Sequence, residues 1–193
     1  INPTNCKTST VTVVVGATPI AASNDSGASV VGMVGNPSVF NALANDTLNG
    51  AAVNVADVNV TITAPAALAG IPLDPAPRNV AVAAGTPAGT YSITYQICEK
   101  ADPTNCKSAT ASVTVTAAPI VTSNDGPPSV IGASGNATLV NALTNDTLNG
   151  VAVNIADVDL TIVTPSSNPG VAIDTATGNV SVAPGTPAGS YPI

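Results

Sequence analysis

Residues 91–116, YSITYQICEKADPTNCKSATASVTVT, predict two β-strands joined by a short turn. In the first strand, large residues with apolar bodies occupy every second position: Tyr91, Ile93, Tyr95 and Ile97. That spacing is the period of a half-buried strand, and alanine and valine alternate in the same way along residues 109–115. Asp102 and Pro103 lie between the two runs and favour a turn. The stretch therefore predicts a β-hairpin.

Two cysteines, Cys98 and Cys106, flank the predicted turn and lie on the polar face of the hairpin if no bulge intervenes. We predict a disulfide between them, a surface staple across the hairpin; two free thiols are the alternative. The chain has three cysteines and no histidine to share a metal, which favours the disulfide. Closing so short a loop stabilises by about 2–3 kcal/mol in the chain-entropy model.

A disulfide implies an oxidising, extracytoplasmic location. Cys6 is the counterpart of Cys106, but no counterpart of Cys98 precedes it. We expect Cys6 to stay outside any disulfide of its own module or to bond to another chain.

Composition indicates an all-β protein with an aliphatic core. Of 193 residues, 45% are hydrophobic and only 2% aromatic, while 17 prolines and 16 glycines supply many turns. Eleven acidic residues against four basic ones give a net charge of −7, which disfavours nucleic acid as a partner. No apolar run approaches the ~20 residues of a spanning helix, so no membrane insertion is expected.

The chain repeats itself with a period of 100 residues. NALANDTLNG at residues 41–50 returns as NALTNDTLNG at residues 141–150, and PTNCK at residues 3–7 returns at residues 103–107. Such self-similarity predicts tandem modules.

The repeat divides the chain into three predicted segments. Residues 1–16 match a final strand and are assigned to a preceding module, residues 17–116 form a complete module, and residues 117–193 form a module without its final hairpin. Each full module contains about seven short strands, the pattern of an immunoglobulin-like sandwich. Tyr91 and Tyr191, each just after a Pro-Ala-Gly turn, fit a tyrosine corner.

Four motifs together resemble a known family. They are Pro-Ile with Ser-Asn-Asp in residues 19–25, Leu-Ala-Asn-Asp-Thr at 43–47, Gly-Thr-Tyr-Ser-Ile-Thr-Tyr-Gln-Ile-Cys at 89–98, and Ala-Thr-Ala-Ser-Val-Thr-Val at 109–115. The chain resembles the Ig-like and cadherin-like tandem repeats of large bacterial surface proteins and adhesins. The resemblance implies a secreted or surface-exposed stalk or fibre, often with calcium between modules.

The residues do not predict an enzyme or an organic cofactor. Without histidine, a Ser-His-Asp triad is excluded. Calcium is the one ion for which we identify candidate ligands, because it binds loop carboxylates and amides. The candidates recur with the repeat: Asp25, Asp46 and Asp57, then Asp125, Asp146 and Asp157. The alternative is that Asn-Asp pairs only form Asx turns.

A module without its final hairpin would expose its core along the absent strands. Residues 1–15 have the pattern to fill that cleft, with Val11, Val13 and Val15 on one face. We hypothesise that this donor strand completes the last module of a neighbouring copy, head to tail, and that such contacts extend as an open filament. The alternative partner is an adjacent repeat of one long covalent chain.

The expected function is therefore a structural building block of an extracellular filament or adhesin stalk. A ligand-binding adhesin module and an S-layer-type lattice subunit are the alternatives. The shortage of tyrosine, tryptophan and arginine is unfavourable for a ligand-recognition surface.

Overall fold

The computed structural model describes residues 4, 6–74, 78–126 and 128–193. Apart from one 3₁₀ turn at Ile155–Asp157, the regular structure of the described residues is β. None of the helical structure among those residues has the length and apolar character to cross a membrane. The chain divides into two compact units, Ile1–Ala117 and Ala118–Ile193.

The first unit contains three sheets. Its strands are β1 (Ile20–Ala21), β2 (Asp25–Ser26), β3 (Val30–Val31), β4 (Asn36–Asn41), β5 (Thr47–Leu48), β6 (Ala51–Ala52), β7 (Val58–Ala64), β8 (Asn79–Val82), β9 (Gly89–Glu99) and β10 (Cys106–Thr116). The largest sheet has the order β2-β10-β9-β7, with β3 also paired to β10. The others are β1-β5-β6 and β4-β8.

The hairpin β9–β10 lies at the centre of the largest sheet and supplies much of the core. Ile93, Tyr95 and Ile97 are at most 1% exposed, whereas the residues between them are half-buried or exposed. Ala109, Ala111, Val113 and Val115 of β10 face the same core. The alternation predicted for both strands is confirmed.

The second unit reproduces only the two smaller sheets. Its strands are β11 (Ile120–Val121), β12 (Asn136–Asn141), β13 (Thr147–Leu148), β14 (Val151–Ala152), β15 (Val171–Ile173) and β16 (Asn179–Val182). They pair as β11-β13-β14 and β12-β16-β15. Residues 125–126, 130–131 and 158–164, the counterparts of β2, β3 and β7, form no strands, because β9 and β10 have no full counterpart within residues 118–193.

A two-residue hairpin turn joins β5 and β6. Asn49 and Gly50 both have positive φ, 54° and 75°, as the favoured hairpin turns require. Residues 71–73 contribute one isolated bridge, between Leu73 and Val80.

The strand predicted at residues 1–15 does not form in the isolated chain. Residues 6–15 have no regular structure, and residues 1–3 and 5 lie outside the described part. A strand needs a paired edge to satisfy its backbone groups, and no pairing joins residues 6–15 to another described segment. The pairing of this segment with a neighbour, which the sequence predicts, stays a prediction.

Candidate strand-docking groove

In the first unit, strand β10 supplies core side chains and pairs with neighbouring strands on both of its edges. Ala111, Val113 and Val115 are 1–2% exposed. On one side β10 pairs antiparallel with β9; on the other it runs parallel to β2 and β3. The backbone N–H of Thr110 also donates to Asn24 Oδ1 at 2.9 Å. The strand thus fills a groove between β9 and the β2–β3 edge.

The predicted pairing of Cys98 with Cys106 is present as a disulfide at the tip of this hairpin. The two residues lie directly opposite each other in the antiparallel register. Both are half-buried, so the bond is less exposed than the predicted surface staple. It closes the end of the hairpin, where Asp102 forms the turn by accepting from the Thr104 N–H and hydroxyl.

A buried glutamate beside the disulfide ties the hairpin tip to the start of the unit. Glu99 is 9% exposed; its carboxylate accepts from the Thr18 hydroxyl at 2.8 Å and from Asn105 Nδ2 at 2.8 Å. The Asn105 amide also donates to the Thr18 carbonyl at 2.7 Å. The sequence analysis did not find this network, because its members are close only after β9 and β10 pair.

Tyr95 brings two of the predicted acidic residues together. Its hydroxyl oxygen lies 2.9 Å from Asp25 Oδ2, 3.0 Å from Asp46 Oδ2 and 2.6 Å from the Ala42 carbonyl oxygen. Tyr95 and Asp46 are fully buried and Asp25 is 9% exposed. The backbone N–H of Ser23 donates to the other Asp46 oxygen at 2.8 Å. The cluster anchors β9 to β2 and to the loop after β4.

The Tyr95 hydroxyl has one hydrogen to donate, but three oxygen acceptors surround it: those of Asp25, Asp46 and Ala42. A tyrosine hydroxyl donates one hydrogen, so two ionised carboxylates cannot both receive it. Burial raises the pKa of Asp25 to about 6; the Tyr95 hydrogen bond lowers this pKa and the nearby Asp46 charge raises it, and both effects are smaller than that of burial. Burial also raises the pKa of Asp46 and that of Tyr95. At a pH below about 6, a protonated Asp25 supplies the missing donor.

Both predicted tyrosine corners have the expected hydrogen bond. The Tyr91 hydroxyl donates to the Pro87 carbonyl at 2.9 Å, and the Tyr191 hydroxyl donates to the Pro187 carbonyl at 3.0 Å. The second unit therefore forms the approach to a β9-type strand, although residues 189–193 are not themselves a strand.

The second unit has an open groove of about 1390 Å³ where the hairpin lies in the first. Its apolar lining includes Leu139, Val140, Ile162, Val171, Val180 and Val182. Val180 and Val182 are 9% and 8% exposed, against 0% and 2% for Val80 and Val82 in the first unit. These two valines are therefore slightly more exposed than their counterparts in the complete module.

The segment proposed as donor is exposed. Val11, Val13 and Val15 are 83%, 77% and 89% exposed, whereas their counterparts 100 positions on, Ala111, Val113 and Val115, are core residues. Cys6 is also exposed and lies outside the Cys98–Cys106 bond.

The predicted calcium ligands do not converge as one set. Asp57 lies in a turn and Asp157 ends the 3₁₀ turn of the second unit, and both are exposed. Within the described ranges, no three Asp, Glu, Cys or His side chains come close enough to hold a metal. Calcium takes six to eight oxygens, whereas Asp25 and Asp46 direct their Oδ2 atoms at a phenol. Calcium stays a prediction.

The alternation of β9 predicts that Tyr95 is on the apolar face, but not that its hydroxyl bridges Asp25 and Asp46. The available signal was chemical: a buried tyrosine hydroxyl requires a hydrogen-bond partner, and the chain has few buried polar groups to supply one. The recurrence of Asp25 and Asp46 at one repeat period marked the candidate acceptors.

No family model matches the chain, and no curated protein matches it. Among solved structures, it is similar to the protocadherin gammaB4 extracellular domain at 15% identity, with a TM-score of 0.35, over 87% of this chain and 29% of that chain. It is also similar to protocadherin gamma B2 extracellular cadherin domains 3-6 at 13% identity, with a TM-score of 0.31, over 89% of this chain and 44% of that chain. The chain spans less than half the length of either, and TM-scores this low assign it neither a family nor a function.

Proposed function

We propose that this chain is a structural building block of an extracellular filament or adhesin stalk whose modules complete one another by β-strand addition. One observation carries the proposal: the groove of the second unit corresponds to the place that β10 fills in the first. A segment with the β10 pattern, residues 6–15, lies exposed elsewhere in the chain.

The register of the donated strand follows from the first unit. In β10, Ala111 pairs with Asp25 and Val115 with Val30, both in parallel. The equivalent donor positions are Val11 and Val15, which would lie beside residues 125 and 130 of a neighbouring copy. Val13 then points into the groove. Burying an exposed valine contributes about 1.5–3 kcal/mol, so three valines supply a substantial driving force.

The disulfide supports an oxidising, extracytoplasmic location for such a fibre. It also closes the tip of the hairpin that fills the complete module, so the module resists opening from that end. The neighbour that donates the strand is either a separate copy or an adjacent repeat of one long chain. Denaturing electrophoresis of native fibres under reducing conditions separates the two, since only separate copies yield a species near the 18.6 kDa chain mass.

A matched pair of substitutions tests strand addition. Val13 corresponds to the buried Val113 and Val14 to the exposed Thr114, while both valines are exposed in the single chain. Val13→Asp is expected to abolish assembly, whereas Val14→Asp is expected to leave it intact. Assembly is measured by size-exclusion chromatography and electron microscopy. Neither change touches the core of its own chain, so the fold is preserved in both.

Deleting residues 1–15 should give the same loss of assembly as Val13→Asp. If the truncated chain or the Val13→Asp chain still forms unchanged fibres, strand donation by this segment is wrong. Equal loss of assembly in the Val13→Asp and Val14→Asp chains would also contradict the proposed register, because it would show only that added charge is disruptive.

A further inference from the structure

Strand β7 of the first unit is an edge strand whose outer side is open. In the part of the chain that the structure describes, β7 pairs with β9 and with no other strand. Val58 is buried and Val60 half-buried, whereas the other residues of β7 are exposed. An edge of this kind presents backbone N–H and C=O groups to which a further strand can bind.

The register with β9 shows which residues carry these outward groups. The Lys100 N–H donates to the Asp57 carbonyl at 2.9 Å, so Asp57 and Lys100 form a hydrogen-bonded pair at the start of β7. In an antiparallel ladder such pairs alternate with pairs that are not hydrogen-bonded. The backbone groups of Asn59 and Thr61 therefore face β9, and those of residues 58, 60 and 62 face away from the sheet.

Residues 58–62 lack the features that usually block edge pairing. Natural edge strands are often protected by lysine, proline or a β-bulge. The stretch VNVTI contains no charged residue and no proline, and the irregularity in the pairing with β9 comes only after Ile62. Lys100 is held at the turn before β7, because its Nζ donates to the Ala56 carbonyl at 2.6 Å. The edge is therefore regular and uncharged over these residues.

We propose that this edge pairs with the same edge of a second copy of the chain, antiparallel and about a two-fold axis at Val60. The contact joins the largest sheets of the two copies into one continuous sheet. It goes beyond the proposed function, because it uses neither residues 6–15 nor the groove of the second unit.

The sequence of the edge favours a second copy as its partner. Apolar β-branched residues at positions 58, 60 and 62 alternate with polar ones at 59 and 61, so the pattern is the same in both directions. With the axis at Val60, Val58 of one copy pairs with Ile62 of the other, and about six backbone hydrogen bonds form. Ile62, which is 43% exposed, then packs beside an apolar residue of the other copy.

Charge also favours this partner. The chain has a net charge of −7, so most contacts between two copies bring acidic groups together. Pairing through residues 58–62 places no like charges opposite each other. A charged segment of another protein would instead lose hydration at this edge without an opposite charge to pair with.

Self-association of the intact 193-residue chain tests the proposal. All chains carry Val13→Asp, which excludes strand donation from the measurement. Thr61→Lys introduces a charge at the edge, and Thr114→Lys is the matched control, an exposed threonine of the interior strand β10. Sedimentation measures the mass over a wide range of concentration, because so small an interface is expected to be weak. Amide exchange is compared between dilute and concentrated samples.

The Val13→Asp chain is expected to form a dimer as its concentration rises. The amides of residues 58, 60 and 62 should then exchange more slowly, whereas those of Asn59 and Thr61, already bonded to β9, should not change. Thr61→Lys should remove both the dimer and the added protection, since lysine opposes edge pairing. Thr114→Lys should leave both intact.

A chain that stays monomeric at every concentration would overturn the proposal. So would equal loss of the dimer in the two lysine variants, because that would show only that added charge is disruptive. A dimer in which residues 58, 60 and 62 exchange as fast as in the monomer would place the contact on another surface. None of these results bears on strand donation, which is measured without Val13→Asp.

Discussion

Substituting Asp25 by asparagine is expected to stabilise the first unit at neutral pH and to reduce its loss of stability as the pH rises. Asp25 is 9% exposed, and its Oδ2 atom lies 2.9 Å from a phenol that also faces Asp46. Asparagine has nearly the same shape, keeps an acceptor for Tyr95 and adds an N–H donor without a charge.

The sign and the size of the effect follow from the pKa of Asp25. Burial raises that pKa from its ordinary value of 3.8 to about 6 in the folded state. Because the folded value is the higher one, the stabilising contribution is complete below the unfolded value. It is lost as the pH rises from about 4 through about 6. The difference corresponds to about 3 kcal/mol of free energy of unfolding between pH 3.5 and pH 7.5.

At pH 7.5 the free energy of unfolding of the first unit should therefore be about 2–3 kcal/mol higher in the Asp25→Asn chain than in wild type. Near pH 4 the two chains should have similar stability. Some pH dependence should remain, because burial also raises the pKa of Asp46. The assay is urea unfolding at several pH values, followed by the amide NMR signals of β9, which report on the first unit alone.

Asp125→Asn is the matched control in the second unit. Asp125 is more exposed than Asp25, and within the described chain no tyrosine hydroxyl bonds to it. Burial and the charge of Asp146 raise its pKa, but the first unit should not respond to its substitution. Two results would refute the assignment of a destabilising pair of buried acids around Tyr95. One is a first-unit stability that stays constant from pH 4 to 7.5, and the other is an Asp25→Asn chain that is less stable than wild type at pH 7.5.

Three further substitutions in the first unit have expected outcomes by urea unfolding. Replacing Cys98 and Cys106 together by serine should lower the free energy of unfolding of the first unit by about 2–3 kcal/mol. A reductant should then cause no further loss of stability. Arg78→Gly should raise the free energy of unfolding by up to about 1 kcal/mol, because Arg78 has a φ of 70° and a buried Nε without a hydrogen-bond partner. The equivalent residue of the second unit, Gly178, has a φ of 76°. A loss of stability would show that the Arg78 side chain contributes packing instead. Tyr91→Phe should cost about 1 kcal/mol or less, because its hydroxyl makes one exposed hydrogen bond to Pro87; no change would mean that the tyrosine corner is not stabilising.

The hairpin and its disulfide could be predicted from the sequence because their signals are local. Alternating residues, a turn at Asp102 and two cysteines that flank it all lie within residues 91–116. The same holds for the tyrosine corner, where Tyr91 reaches a carbonyl four residues back. Short-range patterns of this kind do not depend on the rest of the fold.

Contacts between distant segments could not be read in the same way. Tyr95 contacts Asp25 across 70 residues and Asp46 across 49 residues. Nothing in the neighbourhood of any of the three shows that they meet. The parallel strand β2 is only two residues long and was not separable from loop by its composition.

Comparing the two copies of the repeat shows which strands depend on tertiary pairing, because similar sequences have different neighbours in the two units. Residues 58–64 form a strand beside β9, and the similar residues 158–164 do not. Val30 is buried beside β10, whereas its counterpart Val130 is half-buried, and Val31 is half-buried, whereas its counterpart Ile131 is 74% exposed. Tertiary pairing therefore decides these strands, as expected where propensity is weak.

This dependence on context is what makes a transferable strand physically reasonable. The contact of β10 with β2 and β3 is parallel and joins residues 85 or 86 positions apart, as in the pairs Val115 with Val30 and Ala111 with Asp25. No short turn connects parallel neighbours, so the pairing geometry does not require that both strands belong to one module. In the proposed assembly, residues 125–126 and 130–131 would require only a strand of the right polarity and alternation. Residues 6–15 carry that alternation, with valines at the three positions where β10 contributes core side chains.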